Sequence, residues 1–134
     1  ELERIADIAV DISQRSLELM EKPLLKPLVD IPKLSQVSQN MVRDAIDAFV
    51  NKDALLARKV VLADTEADWL RNLVQDELIN EYLGRDPRTA EWAVALLLIA
   101  RYLERICDHT TNIAEDVIYM VEAKVVKHHP EELK

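Results

Sequence analysis

The sequence predicts an all-α protein: an antiparallel three-helix bundle with one further helix ahead of it. Three observations lead there. The 134 residues contain one glycine, whereas sheets and barrels need glycine at their turns and bulges. Alanine, leucine, glutamate and arginine, all good helix formers, are abundant. Most telling, Trp92, Leu96, Ile99, Leu103, Ile106, Thr110, Ile113, Val117 and Met120 follow one another in alternating steps of four and three. That is the period of a helix whose apolar seam stays against its neighbours.

Taken in order, residues 1–21 read as a helix. Leu2, Ile5, Ile8 or Ala9, Ile12, Ser16 and Leu19 hold one face, and Glu3, Asp7 and Asp11 stack on another. Pro23 ends it, because proline disfavours helical geometry in the residue before it. Residues 22–31 hold Pro23 and Pro27, with Pro32 directly after, and read as an extended connector packed on the bundle. The bundle proper is expected over 32–126. Its first helix starts at Pro32, with a seam of Leu34, Val37, Met41, Ala45 and Ala48. Asn51-Lys52-Asp53 makes the corner, and Asp53 caps the next helix. That helix carries Leu56, Val60, Ala63, Ala67, Leu70, Val74 and Leu78 inward and stops at Gly84. Asp86-Pro87 restarts the chain, and the last helix runs to about Val126, leaving 127–134 as a tail.

Composition narrows function. Apolar residues make up 49% and charged residues 31%, the balance of a globular domain. The net charge of −8 argues against nucleic acid as a partner. One cysteine excludes an intrachain disulfide and fits a reducing compartment. The longest apolar run, Trp92 to Ala100, is nine residues, far short of the roughly 20 that a membrane-spanning helix needs. There is no initiator methionine, and the chain opens inside a helical phrase, so a piece of something longer is expected.

The chemistry-bearing residues are acidic. Leu103-Glu104-Arg105-Ile106-Cys107-Asp108 repeats the opening Leu2-Glu3-Arg4-Ile5-Ala6-Asp7, and residues 2–12 and 103–113 agree at six of eleven positions. Such a repeat implies a duplicated helical unit. Asp64 and Asp68 form a further pair four apart. Carboxylates at that spacing leave one helical face about 5–6 Å apart. Two pairs on adjacent helices would gather four hard oxygen donors, suited to Mg²⁺, Mn²⁺, Ca²⁺ or iron. The alternative is a solvated charged face in which Glu104 pairs with Arg101 and Asp108 with Arg105. His109, His128 and His129 read as surface histidines, Cys107 as a small packing residue, and Trp69 and Trp92 as bundle packing. No nucleophile–base set, nucleotide motif or organic-cofactor motif is present, so an enzyme is not expected.

The phrase from Ala100 to Glu115, its partial copy at Leu2–Asp11, and Asp64-Thr65-Glu66-Ala67-Asp68 closely resemble the PhoU family of bacterial phosphate-transport regulators. The resemblance implies two tandem three-helix bundles, of which this chain holds the second and the last helix of the first. It implies a cytoplasmic adaptor, peripheral to the membrane, between the ATPase subunit of a phosphate ABC transporter and a sensor histidine kinase. Such an adaptor represses the phosphate-starvation response when phosphate is plentiful. It further implies a metal or iron site at Asp64, Asp68, Glu104 and Asp108, and an incomplete one at Glu3 and Asp7. The other function kept open is a metal-binding or metal-buffering bundle whose acidic face is the function itself. A homodimer is expected, unless the helix of 1–21 folds onto the bundle behind it.

Overall fold

The computed structural model describes residues 1–21, 30–83 and 87–128, with side chains in the last helix as far as residue 123. Four helices carry it: α1 (Leu2–Met20), α2 (Asp30–Asn51), α3 (Ala54–Glu77) and α4 (Ala90–His128). No strand occurs among the described residues. α2, α3 and α4 pack on one another as a three-helix bundle, and among the described helices α1 packs against α4 alone. Most of the connector, the stop at Gly84, the cap at Asp86 and the tail from His129 lie outside the described residues.

α2 starts two residues before Pro32. Proline is tolerated there because first-turn N–H groups have no partner within the helix. Its buried residues are Leu34, Ser38, Met41, Ala45 and Ala48, so Ser38, rather than Val37, takes the inward place. The corner that follows is a Schellman turn. Asp53 N donates to Ala48 O at 2.9 Å and Lys52 N to Phe49 O at 3.4 Å, with Lys52 at φ 53°. Asp53 then caps α3, its Oδ1 accepting from Leu56 N at 3.0 Å.

α3 buries Ala57, Val60, Ala67, Leu70 and Val74, and Leu56 and Ala63 are only half-buried. Over Leu78–Leu83 it widens into a π-helical turn. There Tyr82 meets Trp92 edge to face, with ring centres 5.2 Å apart. A single turn over Pro87–Thr89 then leads into α4.

At 39 residues, α4 is roughly 58 Å long. Most of its expected seam is buried, and Thr110 Oγ1 satisfies itself by donating to Ile106 O at 2.7 Å. Two seam residues depart from expectation. Ile113 is half-buried and Met120 is exposed, and Ala114 faces inward beside Val117. A straight helix drifts about 20° per heptad against a strict seven-residue repeat, and the far end of the seam shows that drift. α1 buries Ile8 rather than Ala9 and half-buries Ile5, Ile12 and Leu19. Leu2, Val10, Leu17 and Met20 remain exposed on its outer side. No described helix is long and apolar enough to cross a membrane.

Leu103 lies in the core at 6% exposure, whereas Met120 stands at 46%. Leu103→Ala should therefore cost about 2–5 kcal/mol, and Met120→Ala almost nothing. Chemical denaturation of both variants checks the assignment; equal midpoints would mean that the inward face is misplaced.

Candidate acidic site on the edge between α3 and α4

The acidic pairs owe their position to small residues. Ala93, Ala100, Cys107 and Ala114 repeat every seven residues on α4 and are all but fully buried. On α3, Ala57 and Ala67 are fully buried as well. Small side chains let two helices approach closely. Asp64 and Asp68 follow Ala63 and Ala67, Glu104 follows Leu103, and Asp108 follows Cys107. The two pairs therefore come up on facing edges of α3 and α4.

The electrostatics follow from that proximity. Asp64 is pushed up to about 6 from an ordinary 3.8, first by burial and then by the charges of Asp68, Asp108, Glu104 and Glu115. Burial also raises Glu104, reinforced by Asp108 and Asp68 and opposed chiefly by Arg71. Asp108 is raised by burial and by Asp68, with His109 and Arg71 opposing.

Arg71 is the cation that relieves this crowding. Its guanidinium forms an ion pair with Glu104 across the helices, and its Nη1 donates to Gln75 Oε1 at 2.7 Å. The Nε edge meets Glu104 without hydrogen-bond alignment and has no other partner among the described residues. The within-helix pairs expected for Glu104 with Arg101 and Asp108 with Arg105 are not the ones formed; both arginines are exposed. Arg71 was legible in principle. It lies seven residues after Asp64 and three after Asp68, on the same face of α3.

Two other expectations are corrected. His109 is not a free surface histidine, since its Nδ1 lies 2.5 Å from Glu1 Oε2 and ties α4 to the start of α1. The bond to His109 holds the Glu1 carboxyl below its usual value. Trp69 is 60% exposed, whereas Trp92 is buried as expected. Cys107 is an inert packing residue, with burial pushing its thiol up to about 12. Glu3 and Asp7 are both exposed on α1.

The donor chemistry suits a hard cation. The four residues supply oxygen ligands, and Asp64 Oδ1 is a buried oxygen with no hydrogen-bond partner. Their placement is not that of an assembled site. Among the described residues, no three His, Cys, Asp or Glu side chains come together in a group that could hold a metal ion. Arg71 already occupies Glu104.

Fold and site define a class: all-α proteins built of antiparallel three-helix bundles, with acidic pairs along a helix–helix edge. Comparison with known proteins makes the class specific. The PhoU domain profile matches residues 31–117. An Aquifex aeolicus protein named phosphate-specific transport system accessory protein PhoU homolog is 41% identical over 96% of this chain and 58% of its own length. A Thermotoga maritima homolog of the same description is 37% identical over 98% of this chain and 56% of its own. The crystal structure of PhoU from Pseudomonas aeruginosa superimposes with a TM-score of 0.86 at 36% identity, covering 91% of this chain and 58% of that one. The chain belongs to the PhoU family. It spans a little over half the length of these relatives.

The raised Asp64 carboxyl fixes a pH dependence. Its folded value of about 6 exceeds the ordinary 3.8, so the native state binds more protons than the unfolded one in that window. Stability contributed at this position is present below about pH 4 and lost as pH rises through about 6. Glu104 and Asp108 act in the same direction; Glu1, held low, acts in the opposite one. Asp64→Asn should melt above the parent at neutral pH, with the gap closing below about pH 4. A gap independent of pH would refute the assignment.

Proposed function

We propose that this chain acts in the cytoplasm as an accessory regulator of phosphate uptake and signalling. It would be an adaptor that docks on the ATPase subunit of a phosphate ABC transporter and on a sensor histidine kinase, repressing the phosphate-starvation response. The observation that carries this reading is the family match across almost the whole bundle, residues 31–117, joined to relatives named as accessory proteins of phosphate transport. Physical chemistry supports a non-catalytic role. The site's titratable groups are carboxylates held by an arginine, with no nucleophile beside a base. Long helices with exposed faces suit docking better than turnover.

The test is a cell lacking its own regulator of this kind, carrying a reporter for phosphate starvation. Expression of the chain should silence the reporter in high phosphate, and the chain should co-purify with the transporter's ATPase subunit. Failure of both would remove the adaptor reading.

A second reading is favoured by the unpartnered oxygen of Asp64: a bundle whose acidic face takes up a divalent cation or iron. Asp64, Asp68, Glu104 and Asp108 would hold it, and the ion would supply the charge neutralisation that Arg71 now provides. Calorimetric titration with Mn²⁺ should then give saturable heat that Asp68→Asn with Asp108→Asn abolishes. No heat in the parent would end this reading. ATPase-subunit binding that survives chelation would separate docking from any cation.

A further inference from the structure

Arg58–Glu122 and Arg71–Glu104 are ion pairs that tie α3 to α4, and they differ in setting. The first has both side chains exposed, by 50% and 55%, and is an ordinary solvated contact. The second is set deeper, at 31% and 24% exposure, and stands inside the acidic edge. Thirteen residues of α3, about 20 Å of helix, separate the two arginines.

Arg71 is held in place from its own helix. Its Nη1 donates to Gln75 Oε1 one turn further on, a bond that lies wholly within α3. The guanidinium is thus anchored on one side by a neutral neighbour and set on the other against Glu104. The fit is imperfect. Nε is buried without a hydrogen-bond partner among the described residues, and a buried donor left unpaired costs free energy. Asp64 Oδ1, on the same edge, is a buried acceptor in the same condition. One positive charge also stands against the carboxylates of Asp64, Asp68, Glu104 and Asp108, so a surplus of negative charge remains. An ion pair that leaves a donor and an acceptor orphaned beside it is a replaceable one.

We propose that Arg71 is a built-in counter-ion that closes the acidic edge, holding Glu104 and so setting the cation concentration at which the carboxylates become free to act as ligands. The proposal rests on the cation reading above and adds what regulates it. It accounts for donors of the right chemistry whose placement is not that of an assembled site. A guanidinium and a hard cation compete for the same carboxylate and repel each other, so the two states are mutually exclusive. Apparent affinity is then the intrinsic affinity reduced by the fraction of molecules in which Arg71 has released Glu104. Gln75 is a positioning residue. Its bond does not involve Glu104, so it outlasts release and keeps the guanidinium poised to return.

Titration of the 134-residue chain with Mn²⁺, read by calorimetry and by melting against a chelator control, tests it. Arg71→Gln should melt below the parent in chelator, regain stability with Mn²⁺, and bind Mn²⁺ about tenfold or more tightly than the parent. Gln75→Ala should shift affinity in the same direction by less, and it carries the comparison should Arg71→Gln fail to fold. Arg71→Lys, which keeps the charge, should lie closer to the parent than to Arg71→Gln. Arg58→Gln removes the other cross-helix pair and should leave Mn²⁺ affinity unchanged, which separates a lock from a general loosening of the bundle. Equal affinity of the parent and Arg71→Gln overturns the proposal alone and leaves the cation reading standing. So does an Arg58→Gln variant that tightens binding as much, or an Arg71→Gln variant that melts with the parent in chelator. A parent without saturable heat removes the cation reading, and the proposal with it.

Discussion

The structure depends on how many sides of α4 must be buried at once. α4 is the one helix that packs against all three others, so a single apolar stripe cannot serve it. It carries two. The large residues Trp92, Leu96, Ile99, Leu103 and Ile106 form one, and Ala93, Ala100, Cys107 and Ala114 form another beside it. Their volumes are complementary. Bulky residues fill the space between helices, and the small stripe lets a neighbour come close. Any bulky substitution at Ala100 or Ala114 would push helices apart along their whole length, because interiors at crystal-like density have nowhere to displace a side chain.

That close approach determines the chemistry at the edge. The acids are the next residues round from the small stripe, so helices that meet on alanines bring their carboxylates together. The result is an unfavourable arrangement maintained by the packing beneath it. Burial and mutual repulsion raise Asp64, Glu104 and Asp108 together, and one guanidinium offsets part of the repulsion. Removing a charge there can stabilise a bundle, because an uncompensated buried carboxylate costs more than a neutral amide of the same shape. Acidic pairs of this kind are therefore poor contributors to folding. Their presence at an edge that packing alone would leave neutral is a reason to look for a role in binding.

Much of this was legible in the residues. The four helices, the corner at Asn51-Lys52-Asp53 with its Asp53 cap, and most of the α4 seam follow from periodicity and capping chemistry, which are local. The facing acidic edges follow from where each acid stands relative to its seam. The missed features need a second helix. The i, i+3 spacing within α4 offers Arg101 to Glu104, whereas the pair forms across to Arg71 on α3. The Glu1–His109 contact spans 108 residues of sequence and has no local signal. Large aromatics dominate cores, which points Trp69 inward, yet it shares an exposed seven-residue stripe with Leu55 and Leu62. Ser38 displaced Val37 because steps of four and three through 34, 38, 41, 45 and 48 follow the helix better than hydrophobicity does.

The internal repeat gains a spatial meaning from this arrangement. Its two copies lie on α1 and α4, which pack on each other, and one matched pair of residues faces a single groove. Ile5 and its counterpart Ile106 line the same cavity of about 590 Å³ between α1, α2 and α4. The copies differ in what stands beside them. Glu104 and Asp108 have Asp64, Asp68 and Arg71 across a helix–helix edge, whereas Glu3 and Asp7 lie exposed on a helix that, among the described helices, packs on α4 alone. Similar phrases thus become different environments, because the neighbouring helix, and not the motif, decides whether a carboxylate pair is desolvated and crowded. In this chain the strained acidic edge belongs to α3 and α4, and the opening copy is an ordinary solvated face.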